Sequence, residues 1–152
     1  MDLRTQINEE YKKALKLKKN DEVNTLRLIR SAIKDKDIAN RAGEIKKMIN
    51  DQQILNVLQS MVKQRRDTID SFQTASREDL INKEKKEIEV INQFLPTQLK
   101  EDEIRIIIEK FISSNNISSI KDMGKIMEYL RSNYSGSIDL GLSGQIAKNL
   151  LI

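Results

Sequence analysis

This sequence predicts an all-α protein in two parts: an N-terminal helical domain of about four helices over residues 1–95, then a small three-helix C-terminal domain over 96–152. Three observations carry that expectation. Apolar residues recur at spacings of three and four along most of the chain, the period of an amphipathic helix. The 152 residues include one proline, five glycines and only 4% aromatics, while 33% are charged, a composition foreign to sandwiches and barrels. The single proline, Pro96, stands between two long helical patterns. Its missing N–H and its clash with the preceding turn should stop a helix at Leu95. Phe94, Leu95 and Leu99 around it are apolar, so this joint is expected to be pinned to a core.

The first helix is expected from about Leu3 to Lys18, with Leu3, Ile7, Tyr11, Ala14 and Leu15 on one stripe. Lys12, Lys13, Lys16, Lys18 and Lys19 crowd its C-terminal half, where cations suit the negative end of the helix dipole. Asn20-Asp21 should end that helix and cap the next. Val23, Leu26, Ile29 or Arg30, and Ile33 carry the second pattern to about Ala42, where Gly43 stops it. Residues 43–50 read as a polar connection, and Asp51 as the N-cap of a third helix whose stripe is Ile54, Leu58, Met61, Arg65, Ile69 and Phe72.

Ser76-Arg77-Glu78-Asp79 fits a capping box opening a fourth helix, with Leu80, Ile81, Glu84, Ile88, Ile91 and Leu95 on one side. Glu84 and Arg65 interrupt otherwise apolar stripes. A carboxylate placed there needs a partner, and Arg27, Arg65 and Arg66 are the available ones. Beyond the joint, helices are expected over Glu101–Ser114, with three acids in its first turn, over Asp122–Asn133, and from Asp139 as N-cap along Leu142, Ile146 and Leu150. Ser135-Gly136-Ser137 is the turn before the last of them.

Composition narrows the chemistry. With no cysteine there is neither a disulfide nor a thiolate metal site, and with no histidine the usual general base and imidazole ligands are missing. The acidic pairs Asp35/Asp37 and Asp67/Asp70 lack converging ligands, so neither metal nor cofactor is expected. Gly141-Leu142-Ser143-Gly144 lacks the preceding strand and the lysine of a phosphate loop, and its glycines read as small residues allowing close helix packing. No apolar run is long enough for a membrane span and the first residues carry no signal pattern, so a cytoplasmic protein is expected. Charge is uneven: 20 Lys/Arg against 16 Asp/Glu up to Leu95, then 7 against 7. The basic segments Lys12 to Lys19 and Lys63-Gln64-Arg65-Arg66 offer charge to phosphates, though the acids around them equally suit a solvated helical face.

Several segments together resemble the GatB/YqeY family. They are Thr25-Leu26-Arg27, Lys63-Gln64-Arg65-Arg66-Asp67, Arg77-Glu78-Asp79-Leu80 with Glu84 and Glu87, Phe94-Leu95-Pro96-Thr97-Gln98-Leu99, and Asp122-Met123-Gly124-Lys125-Ile126-Met127. The likeness runs over essentially the whole chain, in order. It implies a C-terminal domain similar to the tail of the B subunit of glutamine-dependent tRNA amidotransferase, an appendage that contacts the tRNA body. The family label carries a carbon–nitrogen ligase activity with glutamine as amido donor. The domains that perform it are not expected in these 152 residues. The expected role is therefore accessory and non-catalytic, with tRNA or an amidotransferase-like protein as partner. Lys125 matches the family's Gly-Lys pair, with Lys63, Arg66, Lys12, Lys16 and Lys19 as auxiliary charge. Arg27, Arg77, Asp79, Glu84, Pro96, Asp122, Met123, Gly124, Gly136 and Asp139 are the other motif positions. At Gly136-Ser137-Ile138-Asp139-Leu140 the family's basic residue and its glycine after the aspartate are missing, and Lys100 replaces a capping serine. The alternative is a helical protein-interaction module with no RNA role, whose arginines serve internal ion pairs.

Overall fold

The computed structural model describes residues 2–40 and 48–152. Among them every regular element is helical: α1 (Leu3–Lys16), α2 (Asn20–Asn40), α3 (Asp51–Thr74), α4 (Glu78–Asn92), α5 (Glu101–Ser114), a 3₁₀ turn (Ile120–Asp122), α6 (Met123–Asn133) and α7 (Leu140–Leu151). The chain divides into two compact units, Met1–Leu95 and Pro96–Ile152. The expected stop at Gly43, and most of the connection after it, lie outside the described residues.

In the first unit most of the stripes of α1 to α4 meet in one core, while Leu15 of the α1 stripe is left exposed. Ile7, Ile29, Ile54, Leu58 and Ile91 are fully buried there. Each such aliphatic contributes roughly 1.5–3 kcal/mol by leaving water. Of the two residues offered for the α2 stripe, Ile29 is buried and Arg30 is exposed. In the second unit Ile104, Ile108, Ile126, Leu130, Ile138 and Ile146 form a separate core. Phe94 is buried in the first core and Leu95 is packed against it, while Leu99 is packed against the second.

Helix ends account for most departures from the sequence reading. Three helices close with a non-glycine residue in the left-handed region: Lys18 (φ 55°), Ser76 (φ 54°) and Asn116 (φ 52°). After each, the next amide reaches back five residues, Lys19 to Ala14, Arg77 to Phe72 and Ile117 to Ile112, at 3.1 Å. That is the Schellman closure, and its left-handed residue is usually glycine. So Ser76 ends α3 and does not cap α4; the cap position is Arg77, which makes no side-chain cap bond, and the expected capping box is absent. Helix α1 likewise ends at Lys16, and α2 opens at Asn20 itself.

The α3 cap falls one residue before the expected Asp51. Asn50 accepts from the Gln53 amide, and the Gln53 side chain accepts from the Asn50 N–H, both at 2.9 Å, a reciprocal box. Asp51 instead receives the Leu3 amide at 3.3 Å, tying α1 to α3. Helix α4 stops at Asn92, short of Leu95, and Gln93, Phe94 and Leu95 continue with i→i−3 bonds that tighten the approach to Pro96. The reading of Gly141 and Gly144 as close-packing residues does not hold. A Cβ on Gly144 would meet nothing within 4 Å, and one on Gly141 would meet only Asp139 Oδ1, at 3.3 Å.

Candidate functional site

The basic segment of α3 faces two ways. Lys63 and Arg66 are exposed and form no ion pair among the described residues. Arg65 between them turns inward, its Nε 2.9 Å from Glu87 Oε2 and 4.0 Å from Glu84 Oε2. One of its terminal nitrogens donates to the Met61 carbonyl at 3.1 Å. Of the three arginines offered as partners for Glu84, this is the one that meets it, and it holds α4 against α3.

On α1, Lys12 and Lys16 are exposed, as is Lys19 just beyond it. Lys12 lies 3.9 Å from Glu9 and Lys19 3.9 Å from Glu22. Exposed pairs at that distance contribute little and leave both lysines available to a polyanion. In the second unit Lys125 Nζ is 3.6 Å from Asp122 Oδ1, a similarly open pair at the start of α6. Gly124 beside it is exposed, while Met123 is half-buried and packed on the second core.

The remaining motif residues do structural work. Gly136 is buried with φ 81°, a backbone state glycine adopts freely, and its carbonyl accepts from Gln98 Nε2. The same Gln98 nitrogen donates to the Pro96 carbonyl at 2.9 Å, so the joint segment and the turn before α7 share one amide. Asp139 is the α7 cap, Oδ1 accepting from the Leu142 amide at 3.2 Å. Arg77 and Asp79 form an exposed pair at 3.5 Å, and the Arg77 hydrogen bond holds the Asp79 carboxyl below its usual range.

Two features escaped the sequence reading. Arg4 grips the buried Asp37 with both terminal nitrogens, at 2.9 and 3.0 Å. Asp37 also accepts the Ile49 amide at 2.9 Å. The nearby acids Asp35 and Asp37, weighed together as a pair, thus sit in different surroundings, one exposed and one buried. The second feature surrounds Tyr11. Arg27 Nε donates to Tyr11 Oη at 3.2 Å, and the Arg30 guanidinium lies 4.2 Å from the ring centroid. The Arg27 hydrogen bond, then the fields of Arg27 and Arg30, draw the Tyr11 phenol below its ordinary range. The signal was present in sequence as Arg27, Arg30 and Lys34, spaced to share one helical face.

Among the described residues no three His, Cys, Asp or Glu side chains gather as metal ligands, and no helix is long and apolar enough to cross a membrane. What the geometry defines is an all-helical protein with exposed, weakly paired cations on its surface. The chain belongs to the family of Yqey-like proteins, whose model matches residues 4–151. It is 32% identical over 95 residues to an uncharacterized protein of Schizosaccharomyces pombe, covering 62% of this chain and 73% of that one. A Clavispora lusitaniae protein named altered inheritance of mitochondria protein 41, mitochondrial, is 36% identical over 93 residues, or 61% of this chain and 51% of its own. Its namesake in Kluyveromyces lactis is 29% identical over 99 residues, 63% and 51% respectively. The chain therefore spans about half the length of these mitochondrial relatives.

Proposed function

We propose that this chain is a non-catalytic accessory protein that binds tRNA, alone or beside an amidotransferase-like partner. The observation that carries this is the pair Lys63 and Arg66, exposed one turn apart on α3 with no carboxylate bound to either among the described residues. Lys16 on α1 is placed the same way, and the first unit holds the whole surplus of positive charge. Phosphate backbones are drawn to such uncompensated charge. Lys125 with Gly124 is the surface in the second unit that the likeness to the amidotransferase tail singles out. The reading takes the protein as cytoplasmic.

A second reading, a helical protein-interaction module without RNA, draws on Leu15, Leu17 and Leu28, large aliphatics 43%, 55% and 45% exposed. Its premise that the arginines serve internal pairs fits Arg4 and Arg65; Arg66, Arg27 and Arg30 have no acid partner among the described residues.

Salt separates the two. With four phosphates contacted, tRNA affinity should fall about a hundredfold between roughly 50 and 200 mM salt, and be lost in Lys63→Glu/Arg66→Glu or in Lys125→Glu. Absence of tRNA binding at the lower salt would sink the RNA reading and leave the interaction module.

A further inference from the structure

A groove of about 550 Å³ runs between α1 and α2, lined among others by Arg4, Asn8, Arg27, Arg30, Lys34 and Asp37. Its charge is lopsided. Arg4 is neutralised by Asp37, at 2.9 Å. Arg27, Arg30 and Lys34 make no ion pair among the described residues, and the other acid of this stretch, Asp35, lines a different groove with Lys36. Cations three and four residues apart on one helix face repel one another, so the charges themselves oppose the arrangement.

The two free arginines are also oriented. Arg27 spends Nε on the phenol oxygen of Tyr11, and Arg30 spends Nε on Asn8 Oδ1 at 3.1 Å, with its central carbon over the Tyr11 ring. Both acceptors are neutral, so among the described residues the charge stays uncompensated. Among the described residues no acid takes the terminal nitrogens of either guanidinium, which leaves their N–H bonds for a ligand. A guanidinium held by its side edge presents its terminal edge, the one that chelates two oxygens of a tetrahedral anion.

We infer that this groove is a phosphate-binding site, in which Arg27 and Arg30 chelate the phosphate oxygens, Lys34 adds a point charge, and Asn8 and Tyr11 are positioning residues. Three cations suit a phosphate better than a single carboxylate. The groove is larger than a lone phosphate needs, so the group is expected on a larger molecule, either a free phosphorylated compound or a nucleic-acid backbone. The inference does not rest on tRNA binding, since none of the residues tested for that reading lies in this groove.

The test is calorimetric titration of the full chain at low salt with inorganic pyrophosphate, with a short single-stranded RNA lacking terminal phosphates, and with acetate at matched ionic strength. Pyrophosphate or RNA should bind and acetate should not; whichever of the two binds tells free phosphate from backbone. Arg27→Gln/Arg30→Gln should weaken binding by about tenfold or more and Lys34→Gln several-fold, while Lys148→Gln, at an exposed lysine of the second unit, should bind as the wild type does. If the double variant loses helicity by circular dichroism, the exposed Lys34→Gln decides alone. Saturating ligand should also shift the Tyr11 phenolate transition to higher pH, because the anion offsets the arginine field; a purely structural tyrosine would not move. Binding of neither probe, equal binding of acetate, or undiminished binding in the variants would overturn the assignment.

Discussion

Arg65 donates from Nε to Glu87 Oε2 at 2.9 Å, joining α3 to α4 where the two helices turn their inner faces together. Glu84, 4.0 Å away, completes a three-charge cluster whose side chains are only 13% to 20% exposed. Removing the shared cation would leave two half-buried carboxylates facing each other, whereas removing one acid leaves a matched pair. Arg65→Met should therefore cost about 2–3 kcal/mol and Glu84→Gln less than about 1 kcal/mol in urea unfolding. Equal losses in the two variants would show that the cluster is not shared.

A second charged contact should be asymmetric. Asp37 is 5% exposed and accepts from both Arg4 and the Ile49 amide, while the Arg4 side chain is 26% exposed. Arg4→Ala leaves the buried carboxylate without its guanidinium and should cost about 3 kcal/mol; Asp37→Ala leaves a backbone donor and a cation with water near at hand and should cost about half that. Denaturant midpoints give the ranking. Amide exchange at Ile49 should quicken far more in the aspartate variant.

How far the sequence could be read depended on which physical signal each element carries. Burial periodicity is a strong signal, so α5 appears at Glu101–Ser114 as expected and the all-α class holds. Helix ends are weaker, because Lys18 and Ser76 occupy left-handed positions that sequence rules assign to glycine. What closes those turns is the backbone bond that follows each, Lys19 to Ala14 and Arg77 to Phe72, which a one-dimensional pattern does not contain. The inward turn of Arg65 was legible as a break in an apolar stripe. Asp37 was not, since its partner Arg4 stands 33 residues away and nothing local marks the pairing. The cationic face of α2 was visible as spacing alone; that its arginines are held by Tyr11 and Asn8, neutral groups on another helix, needed the fold.

Tyr11 and Tyr134 should titrate apart. The Arg27 hydrogen bond lowers the Tyr11 pKa, while the hydrogen bond with Tyr129 and burial raise that of Tyr134. For Tyr11 the folded state favours the phenolate. Its contribution to stability is present above the unfolded pKa of about 10 and lost as pH falls through the folded value, so it is silent at neutral pH. For Tyr134 the sign reverses: the contribution is present below about pH 10 and lost as pH rises through the folded value. Phenolate absorbance should show an early phase that disappears in Tyr11→Phe and moves to higher pH in Arg27→Gln.

Three glycines of the second unit should respond differently to alanine. A Cβ at Gly144 or Gly124 would meet nothing within 4 Å, and both residues sit inside helices, α7 and α6. There the methyl group restricts the unfolded chain and shields the backbone at no steric cost. Gly144→Ala should stabilise by about 0.5–1 kcal/mol, and Gly124→Ala, in the first turn, by somewhat less. Gly136 is the opposite case, buried at φ 81° with its carbonyl engaged by Gln98, so Gly136→Ala should cost roughly 1–2 kcal/mol. Thermal unfolding of the three variants tests the order. It also separates fold from function at Gly124: a variant that gains stability yet loses affinity for tRNA would mean that the glycine keeps the surface beside Lys125 low for a ligand, because the helix itself is better without it.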